Sequence, residues 1–427
     1  MSSLADRIRG IVTSSAGRSN MPAGLPAGPA PPAHPAQVDL STLGGDWRAG
    51  CFVIDHRWQP SARYGKEAVG TFAQCLEEAS GEGVLFAADP PAQAPFMFVD
   101  LETTGLSGGA GTQAFLVGCG WFDEDAAFST RQFVLTRYAD ERLLLETVSG
   151  ELARAGALVT FNGKSFDAPL LETRHLFHRL PWTGDRLPHV DVLHPARQFW
   201  GKAAVPPYSC SLSALERDIL GVRRSGDVQG FEVPARYFHF VRTGDASPLL
   251  PVLEHNRRDL LSLAALTARL FHLARSGAES ARDAREAVAL GRIYARAGFD
   301  DRASDAYCHA IERCRSPRGA FDPVRIDALR LLALARRRAR RYEEAASCWR
   351  ELLDVRGCPP PIVREATEAL AIHHEHRLRD LATARLFALR TLETVEQERR
   401  AGWTASVHHR LSRLDRKMST ESLKFEV

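Results

Sequence analysis

Asp100 and Glu102, two carboxylates two residues apart, follow directly on the apolar run Phe96-Met97-Phe98-Val99. The run reads as a β-strand, and a strand repeats every two residues, so both carboxylates point to the same side. Like charges placed this way repel, unless a divalent cation lies between them. Two more acids follow in order. Leu158-Val159-Thr160-Phe161 reads as a buried strand, the residues after it as a polar turn, and Asp167 stands near the start of a helix. A long helical stretch from about Pro248 to Ala274 carries His255-Asn256-Arg257-Arg258-Asp259, which puts His255 and Asp259 on one helical face.

Four carboxylates with oxygen-only chemistry suit Mg²⁺ or Mn²⁺, whereas zinc prefers His and Cys ligands. Neither Cys-x-x-Cys nor His-Glu-x-x-His occurs in the chain. Two such ions about 4 Å apart activate a water and stabilise the leaving oxygen in phosphodiester cleavage. Taken singly, each residue has a plainer reading. Asp167 reads as a helix cap, Asp259 beside Arg257 and Arg258 as a surface ion pair, and His255 as an exposed helix residue. Asn162 serves equally well to shape the turn, and Asp191 to end a strand at Val190-Asp191-Val192. The ordered set carries the chemistry.

The order Asp-x-Glu, then Asn-x-x-x-Phe-Asp at Asn162 to Asp167, then His255 with Asp259 resembles the DEDD exonuclease superfamily, whose fold is ribonuclease-H-like. The stretch Asn162-Gly163-Lys164-Ser165-Phe166-Asp167-Ala168-Pro169-Leu170-Leu171, with Asp191-Val192-Leu193-His194 and the His255 motif, is most similar to bacterial YprB-like ribonuclease-H-like domain proteins. The resemblance covers roughly Pro95 to Ala274. It implies that Asp100, Glu102, Asp167 and Asp259 bind two divalent ions, Mg²⁺ or Mn²⁺. It also implies that His255 orients or deprotonates the attacking water and that hydrolysis runs 3′ to 5′. Thr103, Thr104, Gly105 and Leu106 would lie against the terminal nucleotide, with backbone groups near its sugar and Leu106 near its base. Asn162 and Phe166 belong to the same implied substrate side. The sequence departs from the family in one respect. The tyrosine subgroup has three residues between Tyr and the last Asp, and the histidine subgroup has four between His and that Asp. His255 has the residue type of the second and the spacing of the first.

These residues need a frame to hold them. Phe96 to Asp100, Ala114 to Phe122 and Thr130 to Leu135 read as consecutive strands, followed by a helix from about Asp140 to Ala155. Further strands near Leu158 and Val190 alternate with helices, so the class is α/β, a mixed sheet flanked by helices over 95–275. Ser107-Gly108-Gly109-Ala110-Gly111-Thr112 reads as a turn between strands, because it lacks the Gly-Lys-Ser/Thr of a phosphate loop. Residues 45–94, with Trp47, Phe52, Trp58 and Tyr64, read as a small strand-rich layer packed against that domain. Residues 1–44 read as a disordered arm, because Met21 to Ala36 is dominated by Pro, Ala and Gly. Past about Gly277 the pattern becomes all-α. Leu290, Gly291, Tyr294, Ala303, Tyr307 and Ala310 fall at the spacing of a tetratricopeptide helix pair, with looser copies near 40 residues apart. The region 276–427 is therefore expected to be a tetratricopeptide-like domain that docks a protein partner. Arg336 to Arg341 reads as a solvated helix face.

A chain of 427 residues, 44% hydrophobic and 25% charged, is long enough for two or three globular domains. Its net charge of +3 gives no global basic field, so attraction for nucleic acid must be local. Trp200, Lys202, Tyr208, Arg217, Arg223 and Arg224 interleave cations with aromatics, as single-strand grooves do. Amphipathic snorkelling residues look similar, so the segment reads as scaffold with possible substrate contacts. A helix is expected to begin close by, capped by Ser209 or Ser211. Eight cysteines without metal-type spacing, behind no secretory signal, lead to the expectation of a reducing cytoplasm. No apolar run approaches membrane-spanning length. Two function classes follow: a two-metal 3′-to-5′ exonuclease acting on a single-stranded end, or a non-catalytic nucleic-acid-binding adaptor that recruits a protein through its helices.

Overall fold

The computed structural model describes residues 39–87, 89–105, 111–201, 210–317, 319–397 and 401–425. The readings made on 1–38, on Leu106 and residues 107–110, and on Lys202, Tyr208 and Ser209 lie outside these residues.

Nine strands are present among the described residues: β1 Asp46–Arg48, β2 Cys51–Trp58, β3 Arg63–Tyr64, β4 Glu67–Ala68, β5 Phe96–Thr103, β6 Ala114–Phe122, β7 Phe128–Val134, β8 Ala157–Thr160 and β9 His189–Asp191. Seven of them form one mixed sheet in the order β1-β2-β7-β6-β5-β8-β9. β6 runs antiparallel to β5 and β7, while β5, β8 and β9 are parallel. The centre of the sheet is covered on both faces, which is why Phe96 to Val99 and Ala114 to Gly120 read as unbroken apolar runs rather than alternating ones. The expected mixed sheet flanked by helices is the observed fold.

The strands of 45–94 take a different place from the one expected. β2 hydrogen-bonds along the whole of β7, from Phe52↔Val134 to Trp58↔Phe128, and so continues the sheet instead of stacking on it. β7 would otherwise present an open edge, and pairing satisfies it. Phe52, Val53 and Ile54 then enter the same core as Phe115 and Phe133.

The first four α-helices among the described residues are α1 Val69–Glu78, α2 Glu141–Leu152, α3 Asp167–Phe177, which starts at the candidate ligand Asp167, and α4 Leu193–Trp200. A short helix follows, α5 Leu212–Leu215, extended by a π-helical turn over Glu216–Leu220; Ser211 caps it by accepting from the Ala214 N–H at 3.3 Å. α6 is Val233–Thr243. α7, Leu250–Ser276, enters on Pro251, crosses the sheet against β5, β6 and β7, and ends where Gly277 turns to φ 77°.

Beyond it, helices succeed one another in pairs: Ala284–Arg296 with Asp300–Arg313, Pro323–Arg338 with Tyr342–Leu353, and Pro360–His373 with Leu381–Gln397. Ala401–Phe425 closes the series. The change of pattern at Gly277 is one of secondary structure only, because the core crosses it. Phe98 and Phe271 belong to the same buried cluster as Tyr294 and Leu329. The Tyr294 hydroxyl donates to the Ala274 carbonyl at 2.6 Å, and Trp200 Nε1 donates to Glu286 at 2.8 Å. The arginine run is paired more than a free face would be: Arg336 with Glu344, Arg338 with Asp300 and Arg341 with Asp301. No helix among the described residues is long and apolar enough to cross a membrane.

Candidate active site

β5 places Asp100 and Glu102 on one face, near the end of the strand, where burial gives way from full to partial. Asp100 lies opposite Gly118 on β6, and Gly118 lies opposite Gln132 on β7. This row of three runs straight across the sheet under α7. Gly118 has no side chain, and Asn256 fills the space. A Cβ on Gly118 would come within 2.2 Å of Asn256 Oδ1. Asn256 Nδ2 donates to Asp100 Oδ2 at 2.8 Å, and its Oδ1 accepts from Gln132 Nε2 at 2.8 Å. Gln132 also donates to the Leu253 carbonyl at 2.9 Å. Both amides are wholly buried, so the Asp100 carboxylate is set by a polar chain anchored two strands away.

Asp167 is the first residue of α3, but no side chain caps that helix, and the capping reading of Asp167 does not hold. Its position comes from the turn before it. Asp191, at the end of β9, accepts from the backbone N–H groups of Asn162 at 2.8 Å, Lys164 at 3.1 Å and Leu193 at 3.1 Å. Asn162 adopts φ 68°, a conformation Asn tolerates better than most residues. Asp191 thus clamps the turn that delivers Asp167. Phe166, beside it, is 57% exposed. On the other side of β5 the Thr103 hydroxyl donates to the Gly105 carbonyl at 2.9 Å, and Thr104 Oγ1 accepts from the Gln113 N–H at 3.0 Å. These hydroxyls hold the turn that follows Glu102.

α7 supplies His255 and Asp259. Asp259 accepts from Arg224, which also donates to Glu216 and, at 3.1 Å, to Asp227. His255 Nδ1 stands 2.7 Å from Asp227 Oδ1, and its Nε2 stands 3.5 Å from Asp259 Oδ2. Ser262 donates to Glu216 from the same helix.

The electrostatics follow from crowding carboxylates in a poorly solvated corner. Burial drives the Asp100 pKa well above the ordinary carboxylate range, and Asp259, Glu102 and Asp167 add to it; the Asn256 hydrogen bond opposes. Burial lifts Glu102 to about 8, with His255 opposing and Asp259 and Asp167 reinforcing. Asp167 rises to about 7, from burial and the Asp191 charge. Burial disfavours the imidazolium of His255, but Asp259, Asp227 and Glu102 outweigh it and raise its pKa. Burial lifts Asp227 as well, yet His255 and Arg224 hold it below its usual value.

All four proposed ligands carry hard oxygen donors, and Asp167 and Asp259 sit close enough to Asp100 and Glu102 to raise the pKa of both. By donor chemistry they fit a divalent cation. They do not converge on one point, because among the described residues no three His, Cys, Asp or Glu side chains are gathered to hold an ion. The Asp259 carboxylate is turned to the Arg224 guanidinium, so an ion would compete with that cation for it.

Several residues of this corner carried no usable signal in sequence. Asn256 lay inside the His255 motif with no partner in view, because Gly118 and Gln132 become its neighbours only through strand register. Asp227 and Glu216 stand outside any motif. Arg224 and Trp200, read as scaffold with possible substrate contacts, are interior scaffold. Arg224 is buried among carboxylates, and Trp200 is 3% exposed in the core. Of the described members of that group, Arg217, paired with Asp218, and Arg223 are exposed.

An antiparallel β7-β6-β5 half joined to a parallel β5-β8-β9 half, with carboxylates near the end of β5, the strand they share, defines the class. Residues 97–271 match the family model of the RNase_H superfamily, and the chain belongs to that superfamily. It is also 32% identical over 333 residues to the Uncharacterized protein YprB of Bacillus subtilis (strain 168), an alignment that spans 76% of this chain and 75% of that protein.

Proposed function

We propose that the protein is a two-metal nuclease of the DEDD type that hydrolyses nucleic-acid phosphodiesters from a 3′ end. The supporting observation is that Asp100, Glu102, Asp167 and Asp259, drawn from three separate elements, share one poorly solvated corner in which Asp259 and Asp167 raise the pKa of both Asp100 and Glu102. A fold rarely keeps so many carboxylates together without a cation for them. Mg²⁺ or Mn²⁺ bound by these four would lower the pKa of a bound water and offset charge on the phosphate. His255 then stands at the edge of the ligand set, where its Nε2 can take a proton from the attacking water. The Thr103-Thr104-Gly105 backbone and Asn162 border the place for the terminal nucleotide, and exposed Phe166 offers a ring for an unpaired base to stack on. A single-stranded end, which can be threaded into the corner, suits this layout better than a continuous duplex.

The test is degradation of 5′-labelled single-stranded DNA and RNA with Mg²⁺ or Mn²⁺, comparing the intact protein with Asp100→Ala plus Asp259→Ala. A ladder shortening from the 3′ end, lost in the folded double variant, is expected. Full activity in that variant would end the proposal.

One observation favours a second reading. Asp259 is engaged by Arg224, and the carboxylates are not gathered as placed. A chain silenced in this way would bind nucleic acid without cutting it and would recruit a protein through its helices. Binding of single strands with no turnover under either metal would select this adaptor.

A further inference from the structure

Asp227 holds the key to what His255 can do. His255 Nδ1 has two polar neighbours. Asp227 Oδ1 at 2.7 Å is an acceptor, and Arg224 Nη1 at 3.2 Å is a donor. Arg224 Nη1 already has an acceptor in Asp227 Oδ2 at 3.1 Å. One carboxylate thus bridges the guanidinium and the imidazole. Because Asp227 Oδ1 can only accept, the neutral imidazole carries its proton on Nδ1, donated to Asp227, and its Nε2 lies unprotonated on the Asp259 side.

We propose that Asp227 is a positioning residue of the active site, fixing His255 as the Nδ1–H tautomer with Nε2 aimed at the attacking water. Nothing in the ligand motif assigns this role: Asp227 lies in the irregular segment ahead of α6, 28 residues before His255. It also answers the departure from family spacing. A histidine with three residues before the last Asp sits one helical position from that of its subgroup, and a fixed carboxylate behind it sets the ring direction that helix phase alone does not. In the step concerned, a water O–H proton passes to His255 Nε2 and the water oxygen bonds to phosphorus. The bond from phosphorus to the neighbouring 3′ oxygen breaks, and that oxygen takes a proton from solvent.

The inference rests on the nuclease reading, and the experiment separates the two. The full-length protein with Asp227→Asn, His255→Ala and both together is assayed with Mn²⁺ on a 5′-labelled oligonucleotide. Arg224 must keep an acceptor, so the new amide turns its oxygen to Arg224 and its NH₂ to Nδ1, which enforces the wrong tautomer. Asp227→Asn should lower kcat by roughly 10- to 100-fold with KM little changed. In the His255→Ala background it should cost nothing more, because a residue acting through His255 has nothing left to act on. Ring ¹⁵N shifts of His255 should report Nδ1–H in the parent and its loss in Asp227→Asn, a readout that needs no turnover. Asp227→Glu should restore part of kcat. An equal loss in both backgrounds, an unchanged kcat in Asp227→Asn, or an Nε2–H tautomer in the parent would overturn the inference. A parent protein without hydrolysis under either metal would instead remove the nuclease reading, and this inference with it.

Discussion

Asn256 Nδ2 donates to Asp100 Oδ2 at 2.8 Å through the gap left by Gly118, so a residue of α7 sets the direction of a carboxylate on β5. The bond also reaches the Asp100 carbonyl, at 3.2 Å. The same helix carries His255 and Asp259, and it is therefore both a source of site residues and the clamp on the strand that holds the others.

Replacing Asn256 with Ala removes a buried donor from a buried carboxylate and one partner of Gln132 Nε2. A loss of about 1–3 kcal/mol of stability is expected, together with weaker metal-dependent hydrolysis, checked by urea unfolding and by the oligonucleotide assay. An unchanged midpoint would show that the chain of amides does not hold the strand.

Gly118→Ala tests the same contact from the other side. The added Cβ would lie 2.2 Å from Asn256 Oδ1 and 2.9 Å from Leu260 Cδ1, so Asn256 must leave Asp100 or α7 must shift. A destabilisation of about 1–3 kcal/mol is expected for such overpacking. Activity should fall further than in Asn256→Ala, because the helix bearing His255 and Asp259 moves too.

The carboxylates give the metal-free protein a definite pH dependence. Glu102 is raised from 4.5 to about 8 and Asp167 from 3.8 to about 7 in the folded chain. A group with a raised folded pKa favours the fold below its unfolded value and loses that contribution as pH climbs through the folded one. The melting temperature without metal should therefore fall between about pH 4 and pH 8. Added Mn²⁺ should stabilise more at pH 8.5 than at pH 6, because ions compete with protons for the same oxygens. Scanning calorimetry at several pH values, with and without Mn²⁺, measures both slopes; a flat metal-free profile would contradict the crowding.

Much of this was readable in the chain and some was not, for identifiable reasons. Asp100, Glu102, Asp167 and Asp259 declare themselves by local pattern: strand alternation, a polar turn before a helix, and spacing on a helix face. The Ala114–Phe122 strand and the Glu141–Leu152 helix are equally local. The residues that orient the site are set by register between distant strands, as Gly118 and Gln132 are, or by an irregular segment, as Asp227 is. Pattern reading assigns these no partner. The choice between scaffold and substrate contact at Trp200 and Arg224 stays open in sequence for a related reason. An indole and a guanidinium look alike at a surface or in a polar interior until Glu286 and Glu216 are seen behind them.

Arg224 faces Glu216, Asp227 and Asp259 at once, with His255 beside the last two. In Arg224→Met three carboxylates, that of Glu216 almost wholly buried, lose their counter-ion. A cost of about 3–5 kcal/mol at neutral pH is expected. The cost should shrink as pH falls, because burial already raises Glu216 and a proton then takes over from the guanidinium. With Asp259 released, Mn²⁺ should raise the melting temperature of the variant more than that of the parent. The reverse order would mean that Arg224 gathers the ligands instead of competing for one.

The helical region should unfold together with the sheet. At Gly291 a Cβ would meet the Tyr307 ring at 2.4 Å, so Gly291→Ala must force apart the Ala284–Arg296 and Asp300–Arg313 helices. That overpacking is expected to cost about 1–3 kcal/mol. These helices share one core with α7 and α4, through Phe271, Tyr294 and Trp200. The perturbation should therefore lower the midpoint of the sheet as well as that of the helices. Far-ultraviolet dichroism follows the helices, and hydrogen exchange at Val117 and Val159 follows the central strands. Coincident shifts in both are expected. A helical transition that moves alone, leaving strand protection unchanged, would show that the core crossing Gly277 does not couple the two regions, and that the helices behave as a body separate from the sheet.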